Sequence, residues 1–294
     1  MGAQARHVRI NRDAIPAYAS SLDIGPPAAP ADPDVHLGSG TREERAAFWL
    51  TLDAINFGSG WFPTLRKRPG RSGYETIALG LRERFERHGP WSAAALAKVT
   101  VAEVADCFGQ NPDHELMDLF ARSLRDLGRH AAQEHSGRFA TVVDQAGGSA
   151  EMLVQRLSDW ACFSDVSTYS GQPIPFLKRA QIAAADVHRA GVARFTDLGA
   201  LTMFADNLVP HVLRLDGVLA FEPGLAERID RGELIEHGSA EEVEIRACAV
   251  HAVELITSAR PGLIAAEVDQ ELWLRGRGKR YKAAPRHRSR CTAY

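Results

Sequence analysis

Thr41-Arg-Glu-Glu-Arg-Ala-Ala-Phe-Trp-Leu-Thr-Leu-Asp-Ala-Ile-Asn-Phe57 carries a helix in its spacing. Thr41 and Glu44 stand three apart in the capping-box pattern, where hydroxyl and carboxylate each satisfy a backbone N–H that the first helical turn leaves unpaired. Phe48, Leu52 and Ile55 then recur at the repeat of one helix face. Asn56, Phe57 and Trp61 follow at its end, beside Gly58 and Gly60. Similar signals continue downstream. Gly73–His88 is amphipathic and breaks at Gly89-Pro90, Trp91–Lys98 is short, and Thr100 with Glu103 repeats the capping box at the head of Thr100–Phe108. Asn111-Pro112-Asp113 opens a helix through Leu127, and Phe139–Leu157 holds another, interrupted near Gly147-Gly148.

No run before Leu157 alternates apolar and polar residues, which argues against a large sheet. Ser164-Asp-Val-Ser-Thr-Tyr-Ser-Gly171 reads as a short strand or hairpin, and Pro173 and Pro175 keep the next residues extended. Helices are expected again over Phe176–Ala190, Leu201–Leu215, Gly224–Arg231, Ala240–Ala259 and Leu263–Leu274. The fold class is all-α in the main, with one globular domain over residues 41–294. Residues 1–40 read as an extended arm, because Pro16, Pro26, Pro27, Pro30 and Pro33 forbid a long helix there. The last twenty residues, Arg275–Tyr294, carry eight Lys or Arg side chains and read as a solvated tail.

A chain of 294 residues, 45% hydrophobic and 24% charged, can bury a sizeable core. A net charge of −2 argues against a general binder of nucleic acid or membrane surfaces, so any anion site must be local. Cys107, Cys162, Cys248 and Cys291 form no Cys-x-x-Cys pair, the start of the chain lacks a signal-type apolar run, and no stretch is long enough to span a bilayer. A cytoplasmic protein with free thiols is expected. No metal is expected, since His130 and His135 stand five apart and no His-Glu-x-x-His spacing occurs; nor does any glycine-rich nucleotide motif or Gly-x-Ser-x-Gly. No cofactor is expected either.

Three clusters have chemical potential. In Phe204-Ala-Asp206-Asn207 an aromatic ring precedes two short polar groups within an apolar stretch, so ring and acid could frame a small planar ligand. Asp206 is equally a helix cap, the reading that residues alone favour. In Phe176-Leu-Lys178-Arg179-Ala-Gln181 adjacent cations suit a phosphate or carboxylate, or simply decorate a helix. In Gly238-Ser239-Ala-Glu241-Glu242-Val-Glu244-Ile-Arg246, Ser239 and Glu242 have capping spacing, which leaves Glu244 and Arg246 unexplained.

In order along the chain, Phe163-Ser-Asp165-Val, Pro175-Phe-Leu-Lys178-Arg179-Ala-Gln181-Ile, Phe195-Thr-Asp197-Leu, Leu201-Thr-Met-Phe204-Ala-Asp206, Val209-Pro210 and Glu242-Val-Glu244-Ile-Arg246-Ala resemble the queuosine salvage family. Weaker similarity touches Leu52–Trp61, Asp269-x-x-Leu-Trp273 and the His287-Arg-x-Arg290 run. The resemblance implies a helical fold similar to helix-hairpin-helix DNA glycosylases, and hydrolysis of queuosine 5′-monophosphate to queuine and ribose 5-phosphate. It implies Asp206 or Asn207 as the catalytic position, Phe204 stacked on the base, and Asp206 at the base edge or facing the sugar. His36, Asp269 and Trp273 would form the pocket wall, and Lys178, Arg179 and part of the basic tail would hold the phosphate. If relatives carry an acid at the position of Asn207, this chain is an impaired form and Asn207→Asp should raise activity; otherwise Asp206 is the catalytic candidate. The partners implied are small molecules, with no membrane and no stable nucleic-acid complex. Two other classes stay open: a non-catalytic binder of a modified nucleotide, and a DNA repair glycosylase.

Overall fold

The computed structural model describes residues 4–25, 32 and 34–294. β1 (Val8–Ile10) and α1 (Ile15–Ser21) lead into α2 (Arg42–Ala54), α3 (Gly73–His88), α4 (Ala93–Leu96), α5 (Val101–Phe108), α6 (Glu115–Glu134), α7 (Phe139–Asp144) and α8 (Ala150–Ser158). The hairpin β2 (Val166–Tyr169) and β3 (Gln172–Pro175) follows, then α9 (Lys178–Arg189), α10 (Leu208–Leu215), β4 (Leu219–Phe221), α11 (Pro223–Asp230), α12 (Ala240–Ala259), α13 (Ala265–Gly276) and α14 (Lys279–Ala283). The mainly helical class holds. Full capping boxes close at Thr41/Glu44, Ser72/Glu75 and Thr100/Glu103, so the helix starts sit where local chemistry puts them.

Two apolar cores lie side by side. One joins α2 through α9; the other joins α1 and α10 through α13 with the hairpin residues Tyr169 and Phe176. The seam between them is the segment before α10, where Leu201 and Phe204 enter the first core while Met203 and Ala205 enter the second. This corrects the helix expected over Leu201–Leu215, which begins only at Leu208. The segment's backbone bonds go elsewhere: Thr202 N–H donates to Gln181 (2.8 Å) and Phe204 N–H to Asp269 (3.0 Å). Apolar density here reflects burial on two sides rather than helical periodicity.

The arm is also more structured than expected. Pro16 sits in the first turn of α1, where its missing N–H is no loss, and β1 pairs antiparallel with β4, Val8 opposite Phe221. Pro26, Pro27, Pro30 and Pro33 lie outside the described residues. Glu244 explains the anchoring of the arm, because one carboxylate oxygen accepts the N–H groups of Arg6, His7 and Val8 (2.9, 2.6 and 3.1 Å) and the other accepts the Tyr169 hydroxyl (2.6 Å).

The reading of Arg275–Tyr294 as a solvated tail is overturned. Its last turns pack inward, with His287, Ser289 and Tyr294 buried, and Gly58 N–H donates to the Tyr294 carbonyl at 3.0 Å. Gly60 makes this possible: a Cβ there would collide with the Ser289 carbonyl. The charges alternate with buried residues, so net charge misrepresented the segment.

Arg246 links hairpin, seam and tail. Its guanidinium is fully buried, binds both Asp165 oxygens (3.0 and 2.6 Å) and the Ala205 carbonyl (2.9 Å), and lies 3.9 and 4.8 Å from the Phe176 and Tyr294 ring centres. Removing one partner of such a pair strands a buried charge. Arg246→Met is expected to lower the unfolding free energy by about 3–5 kcal/mol in urea denaturation; an unchanged midpoint would show that the ion pair is dispensable.

Candidate active site

The start of α9 is built by Asp165. Its carbonyl accepts the N–H groups of Phe176 and Leu177 (3.0 and 3.1 Å), its carboxylate accepts Lys178 N–H (3.1 Å), and Leu177 is held in the left-handed region at φ 50°. Lys178 thereby enters α9 with its side chain buried, its ammonium donating to the Asn56 carbonyl (2.7 Å) and side-chain oxygen (3.2 Å). Burial pushes its pKa down to about 8, against the opposing pull of the nearby Asp206 carboxylate. Arg179 points elsewhere. It is buried over the Phe57 ring and donates to the carbonyls of Ala54 and Cys162, which uses it as a core strut rather than an open phosphate ligand.

Asp206 is half-buried, and its Oδ1 accepts the N–H groups of Leu208 (2.8 Å) and Val209 (3.0 Å) at the start of α10. The capping role read from sequence is therefore present. It leaves Oδ2 without a protein donor among the described residues, so capping and chemistry are compatible in one carboxylate. Asp269, from α13, accepts Phe204 N–H and is buried; burial first, and the charge of Asp206 second, push its carboxyl well above the usual carboxylate range. Asn207 is buried and donates through Nδ2 to the His287 carbonyl at 3.0 Å, which ties the tail to the seam.

A second wall adjoins Lys178. His36 Nε2 and the Tyr74 hydroxyl share a hydrogen bond of 2.8 Å, His36 lies 4.9 Å from the Trp49 ring centre, and Tyr74 meets Trp273 edge-on at 6.1 Å. Asp53 is fully buried, and burial followed by the neighbouring Asp186 raises its pKa well above the usual range. Asp186 is itself raised by burial, in opposition to Arg189, to which it is bonded at 2.9 Å. Among the described residues, three buried polar atoms here have no hydrogen-bond partner: His36 Nδ1, Trp49 Nε1 and Asp53 Oδ2. Unpaired buried groups are costly, so a cluster of them points to a polar ligand.

The structure thus brings His36, Lys178, Phe204, Asp206, Asp269 and Trp273 into one neighbourhood, with Asn207 behind it and Arg179 turned away. Trp49, Asp53, Asn56, Tyr74 and Asp186 are additions. Asp186 stands eight residues after Lys178 on α9, a little over two turns further along, and Asp53 is a carboxylate among apolar residues of α2. Those two signals were available in the sequence; the aromatic wall depends on long-range packing. Charge and unpaired polar atoms mark the cluster. Two clefts lie elsewhere, one of about 520 Å³ beside Arg6, Tyr169 and Glu244, the other of about 290 Å³ beside Arg84, Trp91 and Cys107. Among the described residues no group of three His, Cys, Asp or Glu side chains is disposed to hold a metal.

The Asn207 amide is a donor in a buried bond to a carbonyl, so an acid there would face one acceptor with another. Asn207→Asp is expected to destabilise the fold by about 1–3 kcal/mol, read as a lower melting temperature. A more stable Asp form would contradict this role.

Residues 36–294 match the family model described as queuosine salvage protein. A Sphaerobacter thermophilus protein named queuosine 5′-phosphate N-glycosylase/hydrolase is 36% identical, the alignment covering 99% of this chain and 94% of that protein. Proteins of the same name from Mus musculus and Dictyostelium discoideum are 30% and 31% identical, covering 86% and 84% of this chain and 83% and 77% of theirs. The order of the phrases from Phe163 to Ala247 had pointed the same way, and the chain belongs to the queuosine salvage protein family.

Proposed function

We infer that this chain hydrolyses the N-glycosidic bond of queuosine 5′-monophosphate: water supplies a hydroxyl to C1′ and a proton to the departing base, giving ribose 5-phosphate and queuine. Family membership and the shared name of its relatives support the reaction. The observation that carries the site is the Asp206–Asp269 pair near Phe204, one acid with an oxygen that accepts from no donor among the described residues and the other pushed toward its protonated form by burial. Neighbouring acids in contrasting environments are suited to opposite roles.

Cleavage builds positive charge on the ribose. Asp206 Oδ2 faces that charge, as nucleophile or as electrostatic stabiliser, while the N–H groups of Leu208 and Val209 hold its other oxygen still. The 7-deaza base has no N7 to protonate, so its departure depends on the sugar side and on hydrogen bonds to the base. Asp269 holds a proton for such a bond, and Phe204, fixed to Asp269 through its own N–H, stacks on the base. The unpaired atoms of His36, Trp49 and Asp53, with Trp273 beside Tyr74, suit the cyclopentenediol, whose hydroxyls can both donate and accept. Lys178 keeps a cation beside Asp206. Asn207 acts as a clamp on the tail and leaves catalysis to Asp206. The substrate is a free nucleotide, and the free cysteines support a reducing, cytoplasmic setting. No helix among the described residues is long and apolar enough to cross a membrane.

Asn is as good a helix cap as Asp, so Asp206→Asn removes charge while keeping the cap. It is expected to slow single-turnover release of queuine by about 10²-fold or more with nucleotide binding retained. An equally fast variant would remove Asp206 from the chemistry, and binding without turnover in the parent chain would favour a nucleotide-binding protein instead. Because Lys178 is charged below about pH 8 and neutral above it, kcat/KM is expected to fall as pH rises through that value. In Lys178→Arg, whose side chain stays charged, this alkaline limb should move upward; a limb fixed near pH 8 would assign it to another group.

A further inference from the structure

We propose that Arg286 takes the 5′-phosphate and so gives the chain its preference for nucleotide over free nucleoside, an inference that rests on the hydrolase reading above. A phosphate dianion in a half-buried site needs a cation with donors to spare, and a chain of net charge −2 must supply it locally. The cations nearest the candidate acids are mostly committed. Lys178 has Asn56, Arg179 has two carbonyls, Arg189 has Asp186, and Arg246 has Asp165. Arg286 is the exception: it is half-buried yet donates no hydrogen bond and forms no ion pair among the described residues.

Its position is nevertheless fixed on both sides. The Pro285 carbonyl accepts from Arg214 (3.3 Å), and the His287 carbonyl accepts from Asn207 (3.0 Å). Asn207 directly follows Asp206 and Arg286 directly precedes His287, so this bond joins the two segments one residue from each group, and the charge of Asp206 acts on Arg286. C1′ and the 5′-phosphate belong to one ribose. A guanidinium held beside the acid that faces C1′ is placed to take the other end of that sugar with its planar fork of donors.

The test compares the parent chain with Arg286→Gln and Arg286→Lys on queuosine 5′-monophosphate and on queuosine, with inorganic phosphate as a competing probe. In Arg286→Gln the KM for the nucleotide should rise about tenfold or more, the ratio of kcat/KM for nucleotide over nucleoside should fall to match, and phosphate should lose its competition; Arg286→Lys should recover part of each. Arg286 bonds to no described residue, so the variants should keep the parent melting temperature. Turnover with the nucleotide preference intact in Arg286→Gln overturns this proposal alone. No turnover of the nucleotide by the parent chain overturns the hydrolase reading, and this proposal with it.

Discussion

The buried pair of Arg246 and Asp165 is the constraint on which the candidate site depends. Arg246 reaches the seam through the Ala205 carbonyl, one residue before Asp206, and Asp165 reaches α9 through the Lys178 N–H. The two charged groups of the site therefore hang from opposite ends of one ion pair. An isolated charge of either sign would be costly at this depth, and the bidentate geometry, with Glu242 at 3.7 Å and two rings over the guanidinium, is what makes burial tolerable. Such a pair contributes less to net stability than a well-packed apolar substitute often does. Its value here is positional, since it fixes three chain segments that are distant in sequence.

Around that frame the protein concentrates acid. Asp53, Asp186 and Asp269 are all pushed toward their neutral forms, with burial the largest cause for each, and Lys178 is pushed the same way from the opposite charge type. Desolvation thus outweighs mutual attraction among these groups. Asp206 is partly open to water and has the start of α10 at one oxygen. In the proposed reading the open carboxylate meets the developing cation and the buried acids meet the base and the diol, a division that rests on unequal access to water rather than on special residues.

Much of this was legible in sequence where the chemistry is local. The capping pairs at Thr41 and Thr100 set helix starts, and Asp206 combined the spacing of a cap with the context of a functional acid. Residues whose partners are remote were harder to interpret. Glu244 and Arg246 had no local explanation, and their partners are Arg6, His7 and Val8 in one case and Asp165 in the other. Leu201–Asn207 looked helical because both of its faces are apolar, although they enter different cores. The tail looked solvated because eight cations obscured the alternating His287, Ser289 and Cys291 that turn inward. Phosphate binding is read from Lys178, Arg179 and part of the basic tail, and of these the structure commits Arg179 to backbone carbonyls and leaves Arg286 without a partner among the described residues.

The central claim is that these residues form a nucleotide N-glycosidase. Incubating the chain with queuosine 5′-monophosphate and measuring both products by liquid chromatography and mass spectrometry tests it most directly. The account predicts queuine and ribose 5-phosphate appearing in equal amounts as the nucleotide disappears. Recovery of the intact nucleotide, with neither product formed, would contradict it.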